Sequence, residues 1–203
     1  MIHYPTTYSH GRKADLSTLP DLADTVLVLW LSSQDITYFN DQTAEWMTVV
    51  KRAKDSLILF AEDVPLSYDL RPVGMTDADI KHTSDVYDMP TGDQVVRMVE
   101  FLQRHADDKV HFACSAGVSR SGFGHFFLDV MNDRLDDVYA DTTTDIVRIN
   151  GEPYTGKLDI SSRVKHYMPN VEYVRLAIEL GYIDLATINA LPSRPAIKQT
   201  LTF

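Results

Sequence analysis

Residues 25–31, Thr-Val-Leu-Val-Leu-Trp-Leu, form an unbroken apolar run that stops at Ser32-Ser33. A short run without alternation predicts a strand buried on both faces, as in a parallel sheet covered on each side. Similar runs recur at 56–61 and 109–113. Between them the period changes to that of a helix. Asn40-Asp41 can cap a helix through Lys51, with Ala44, Met47 and Val50 on one face. Thr91 can cap another from Gly92 to about His105, where Val95, Met98, Val99 and Leu102 share a face. Phe123, Phe126, Phe127, Val130 and Met131 mark a third, buried on one side. Strands alternating with helices predict an α/β fold: one three-layer domain with a central, mostly parallel sheet of about four or five strands, flanked by helices.

The pattern is weaker elsewhere. Residues 64–89 are rich in Asp and have no sustained period, which predicts a long loop. Residues 146–149 predict a strand turning at Asn150-Gly151. Pro169 suits the first turn of a helix carrying Val171, Val174 and Ile178 and stopping at Gly181, with a short helix after Asp184. Trp30 and Trp46 are expected in the core, and Tyr154, Tyr167 and Tyr173 at its edge. No repeat or linker divides the chain, so 1–203 reads as a single domain. Its core spans about 25–181, with 1–20 and 192–203 peripheral.

Composition narrows the function. The 203 residues carry a formal net charge of −10, which disfavours sequence-independent nucleic-acid binding. The N-terminal segment lacks the apolar stretch of a secretory signal, and the longest strongly apolar run, 26–31, is too short to span a bilayer. One cysteine excludes an intrachain disulfide and a multi-cysteine zinc site. The histidines show no metal-ligand spacing. The expectation is a cytoplasmic protein needing no metal or cofactor and binding neither nucleic acid nor membrane.

The single cysteine is the most informative residue. Cys114 ends the apolar run at 109–113. It is followed by Ser115-Ala116-Gly117-Val118-Ser119-Arg120-Ser121-Gly122 and then by the helical period. A nucleophile at a strand end, a loop of small residues and a helix start together make a cradle for a phosphate dianion. Loop amides and the helix N-terminus point positive charge inward, which favours a thiolate. Ser115, Ala116, Gly117, Val118 and Ser119 line the cradle, Gly117 letting the backbone curl into a nest of N–H donors. Arg120 supplies a planar fork for two phosphate oxygens. In this chemistry the Cys114 thiolate attacks phosphorus and water later releases phosphate, while Ser121 donates a hydrogen bond to the departing sulfur.

The stretch Cys114-Ser115-Ala116-Gly117-Val118-Ser119-Arg120-Ser121 resembles the phosphate-binding signature of the protein tyrosine phosphatase superfamily. It looks most like the dual-specificity branch and the small predicted tyrosine phosphatases of bacteria and phages. The match in detail covers about 109–122, and the order of elements extends it to about 25–131. The resemblance implies a phosphatase-like fold and metal-independent hydrolysis of phosphotyrosine, with phosphoserine or phosphothreonine as further substrates. The substrate is then a phosphorylated protein or a small phosphomonoester. The one departure is Ala113, where the family carries a histidine that helps order the loop.

The resemblance also implies an aspartic acid upstream that protonates the leaving oxygen. Asp63, just past the run at 56–61, has the expected topology, whereas Asp79 and Asp85 have the better spacing to Cys114. Two other readings stand beside the enzyme. A phosphate-binding module with little turnover, a pseudophosphatase, is motivated by Ala113 and the unassigned acid. Rhodanese-like sulfur transfer also uses a cysteine in an anion-cradling loop, but the Ser-Arg-Ser ending and the long upstream loop speak against it.

Overall fold

The structure, a computed structural model, describes residues 2–32, 49–61, 90–143 and 147–195. Four parallel strands form its central sheet: β1 (Thr7–Arg12), β2 (Thr25–Leu31), β3 (Asp55–Phe60) and β4 (Lys109–Cys114), in the order β1-β4-β2-β3. β2 lies inside the sheet, and its alternation divides the apolar run between two cores. Val26, Val28 and Trp30 face one side, and Leu27, Leu29 and Leu31 the other. The first core is covered by helices α1 (Gly92–Arg104), α2 (Arg120–Met131) and α3 (Val171–Glu179), and Ile188 of the short α4 (Leu185–Ala190) joins it. The second is closed by Leu16 and Leu22 from two 3-10 turns, together with Val49 and Val50. The domain is therefore α/β with helices flanking an all-parallel sheet. Among the described residues no helix is long and apolar enough to cross a membrane.

Three elements differ from expectation. The segment 1–20, expected at the periphery, contributes edge strand β1, paired with β4 from Thr7 opposite Lys109 to Arg12 opposite Cys114. Its sequence, Thr-Tyr-Ser-His-Gly-Arg, has no apolar alternation because an edge strand is held by backbone pairing and half of it meets solvent. Helix α2 is buried on all sides from Arg120 to Asp129 rather than on one. Pro169 lies outside α3, since the Asn170 side chain accepts from the amides of Glu172 and Tyr173 and so caps the helix one residue later. The other helix starts agree with their caps: Thr91 and Gln94 form a capping box at α1, and Asp184 caps α4.

After α2 the chain leaves the parallel sheet. β5 (Val138–Thr142) and β8 (Lys157–Ser162) pair antiparallel, and β6 (Val147–Ile149) and β7 (Glu152–Tyr154) form a hairpin turning at Asn150-Gly151. The segment from 163 to 170 then returns to the start of α2 before α3 begins.

One buried hydrogen-bond chain crosses the first core. The Trp30 indole N–H donates to the Tyr173 hydroxyl at 3.0 Å, which donates to Gln94 Oε1 at 2.6 Å, joining β2, α3 and α1. Replacing Tyr173 by Phe leaves the indole donor buried without this acceptor. Tyr173→Phe is expected to cost about 1–3 kcal/mol of unfolding free energy in urea titration, with the denaturant slope unchanged.

Candidate active site

Cys114 ends β4 at the carboxyl edge of the parallel sheet, the edge outside which open α/β sheets bind ligands. Its side chain is fully buried. The Gly117 amide donates to Cys114 Sγ at 3.2 Å, and the Ser121 hydroxyl lies 3.2 Å from the same sulfur. The loop thus folds back on its own first residue. Helix α2 starts at Arg120, six residues after this sulfur.

Gly117 is required here for two reasons. Its φ of +73° lies in the left-handed region. A Cβ would also stand 2.6 Å from the Arg12 amide nitrogen and from the Gly11 carbonyl carbon. The end of β1 is therefore a wall against which the loop is pressed. From the opposite side, the Met168 amide donates to the Val118 carbonyl at 3.3 Å, and the Asn170 amide to the Ser119 carbonyl at 3.1 Å. In a trans peptide the N–H points away from its C=O. Holding these two carbonyls outward therefore turns the amides of Ser119 and Arg120 the other way.

Arg120 is only 3% exposed. Its Nη1 donates to the Ala61 carbonyl just past β3 at 2.5 Å, and its Nη2 reaches Ser115 Oγ at 3.4 Å. Nε is buried with no partner among the described residues. No carboxylate among those residues pairs with this guanidinium. Nε and Nη2 make the edge whose N–H bonds run parallel, and Nη2 places that edge on the loop. A buried guanidinium whose Nε has no partner among the described residues is a costly arrangement in isolation and a suitable one for an oxyanion. Gly117 and Ser121 are thus brought to the Cys114 sulfur and Arg120 to Ser115, with Ala116, Val118 and Ser119 in the same short loop. Asp63, Asp79 and Asp85 lie outside the described residues.

Ala113 is buried in the second core, on the sheet face opposite the Cys114 side chain. His111, on the Ala113 face, bonds through Nδ1 to Ser9 Oγ at 2.8 Å. It is turned to β1 rather than to the sulfur.

Sequence reasoning missed a polar stripe on α2. Ser121, His125 and Asp129 recur every four residues, so they share one face of a buried helix. His125 Nδ1 lies 2.8 Å from His10 Nδ1. Asp129 accepts from the hydroxyls of Tyr8 at 2.8 Å and Tyr167 at 2.7 Å and from Lys165 Nζ at 3.0 Å. The signal was present as polar side chains at helical spacing among phenylalanines. Their partners on β1 and on 163–170 are remote in sequence and show no pattern of their own.

Burial sets the protonation of this stripe. It lowers His125 to about 3, with His10 and Lys165 adding to the effect. It lowers His111 to about 4 and lowers His10 as well. Burial, then the neighbouring Asp129 carboxylate, pushes the Tyr8 and Tyr167 hydroxyls up, so both remain donors.

Comparison with family models, curated proteins and solved structures returns no match.

Two predictions arise from this geometry. Gly117→Ala combines a left-handed penalty of about 1–3 kcal/mol with a backbone clash. If the loop is an anion cradle, inorganic phosphate is expected to raise the Tm of the unaltered protein and not that of Gly117→Ala, with far-UV circular dichroism retained in both. The buried histidines have folded-state values below the ordinary 6.5, so the unfolded chain binds protons first as pH falls. Their contribution is complete above pH 6.5 and is lost below it, down through the folded values of about 4 and about 3. Tm should therefore fall between pH 6.5 and about 4.5, above the usual carboxylate range. His125→Gln should reduce that slope, and an unaltered slope would contradict this assignment.

Proposed function

We propose that the protein is a metal-independent phosphomonoesterase acting on phosphotyrosine, and on phosphoserine or phosphothreonine where the pocket admits them, through a cysteinyl-phosphate on Cys114. The observation that carries this reading is the buried Nε of Arg120, without a hydrogen-bond partner among the described residues, beside a loop whose Gly117 amide already donates to the Cys114 sulfur. The Cys-x5-Arg-Ser resemblance to the protein tyrosine phosphatase superfamily supports the same chemistry.

The residues take distinct roles in it. The Cys114 thiolate attacks phosphorus in line, the S–P bond forms and the P–O ester bond breaks. The leaving alkoxide or phenoxide takes a proton from one of Asp63, Asp79 or Asp85. Loop amides and the Nε–Nη2 edge of Arg120 hold the equatorial oxygens as their charge redistributes. Water then attacks phosphorus and gives a proton to the aspartate left ionised by the first step, the S–P bond breaks, and the Ser121 hydroxyl, 3.2 Å from Sγ, hydrogen-bonds the returning thiolate. Inorganic phosphate leaves.

Ala113 favours a second reading, a phosphate-binding module with little turnover, because the histidine that orders the loop in the resembled family is replaced by a methyl group buried in the other core. Hydrolysis of an aryl phosphate separates the two. The enzyme reading expects turnover that is insensitive to EDTA and reversibly inhibited by orthovanadate. It expects Cys114→Ser to reduce that turnover to background. Arg120→Lys, which loses the fork but keeps the charge, should reduce kcat by about 10²–10³. Wild-type turnover equal to that of Cys114→Ser, with phosphate still bound, assigns the second reading instead.

A further inference from the structure

We propose that Asp129 is a positioning residue for the phosphate cradle, clamping together the three segments that shape it. The inference rests on the Cys114 loop being an oxyanion site.

The first segment is β1, whose end at Gly11 and Arg12 is the wall behind Gly117. The second runs from 163 to 170 and fixes the Val118 and Ser119 carbonyls through the Met168 and Asn170 amides. The third is α2, whose first residue is Arg120 and whose first turn presents Gly122 to that second segment. A Cβ on Gly122 would meet Tyr167 Cβ at 3.0 Å. Each segment also sends a group to Asp129. Tyr8 comes from β1, Tyr167 and Lys165 come from the 163–170 segment, and Asp129 itself belongs to α2.

Asp129 is fully buried, and its carboxylate is matched by two phenolic donors and an ammonium group. Lys165 extends the clamp to the chain beyond α2 through Asp137 at 3.0 Å and the Arg134 carbonyl at 3.1 Å. Asp129 lies nine positions after Arg120 on the helix, about 13 Å along the axis. It therefore acts on the cradle only through the elements it joins. A burial-only role would stabilise the whole domain evenly. A clamp is distinguished by its address, since two of its three donor residues, Tyr167 and Lys165, share the segment that holds the loop carbonyls. The Ser119 carbonyl is also held within α2 by the Phe123 amide at 2.8 Å, so loss of the clamp should loosen chiefly the Val118 carbonyl, and with it the amide direction of Ser119, before it loosens the sheet.

The full chain tests this as Tyr167→Phe, Tyr8→Phe and Asp129→Asn. The readouts are amide hydrogen exchange at 117–120 and in β2, inorganic phosphate affinity, and kcat for an aryl phosphate. Tyr167→Phe removes one hydroxyl and preserves ring packing, so it remains informative if Asp129→Asn does not fold. It is expected to speed exchange at 117–120 about tenfold while exchange in β2 is unchanged. It should also weaken phosphate binding and lower kcat by about tenfold each. Exchange unchanged at 117–120, or accelerated equally in β2, overturns the clamp. If the unaltered protein neither binds phosphate nor hydrolyses the ester, the phosphatase reading fails, and exchange alone still decides whether Asp129 orders the loop.

Discussion

The Gly117 amide donates to the Cys114 sulfur, and much of the local architecture exists to make that hydrogen bond possible. Only five residues separate the cysteine at the end of β4 from the arginine that begins α2. To bring an amide back onto the sulfur within that span, the backbone must pass through the left-handed region at Gly117. It does so against β1, so close that no Cβ fits. A polar edge strand thereby becomes part of the site. The Val118 carbonyl takes its donor from Met168, some fifty residues later, and the Ser119 carbonyl accepts both from Phe123 within α2 and from Asn170. Asn170 also caps α3, so one residue fixes both the loop and the helix that follows it.

A chain with net charge −10 buries one guanidinium without a carboxylate partner among its described residues. Global charge and local field are independent here. The surface sets solubility and long-range steering, whereas the cradle is governed by a few oriented groups in a low-dielectric surround. Arg120 uses two of its nitrogens for position, with the Ala61 carbonyl and Ser115 as partners, and its Nε has no partner among the described residues. For the proposed phosphatase this amounts to preorganisation, in which the donors are aimed before an anion arrives.

Much of this was legible in the sequence where packing writes a period. The run 25–31 is apolar at every position because β2 faces two cores. Thr91 and Asp184 signal helix starts because their side chains take up helix-end amides. The Cys114 loop was legible because strand end, small residues and arginine have to be contiguous. What stayed hidden depends on pairing at long range. β1 carries no apolar alternation, and its place is set by backbone bonds to β4, about a hundred residues away. β5 and β8 are short, of five and six residues, and pair with each other rather than with the parallel sheet, with a register shift between Asp141 and Thr142. The stripe Ser121, His125 and Asp129 was visible as a spacing, but only the fold brings Tyr8, Tyr167 and Lys165 to it. Asp63, Asp79 and Asp85 were open alternatives in the sequence and lie outside the described residues.

The central claim is that Cys114 carries phosphorus during turnover. Rapid acid quench of the protein with an aryl phosphate, followed by peptide mass spectrometry, tests it directly. The account predicts a phosphoryl group on the Cys114 sulfur at early times, absent from Cys114→Ser. Sustained hydrolysis with no phosphorylated Cys114, or with phosphorus on another side chain, would contradict it.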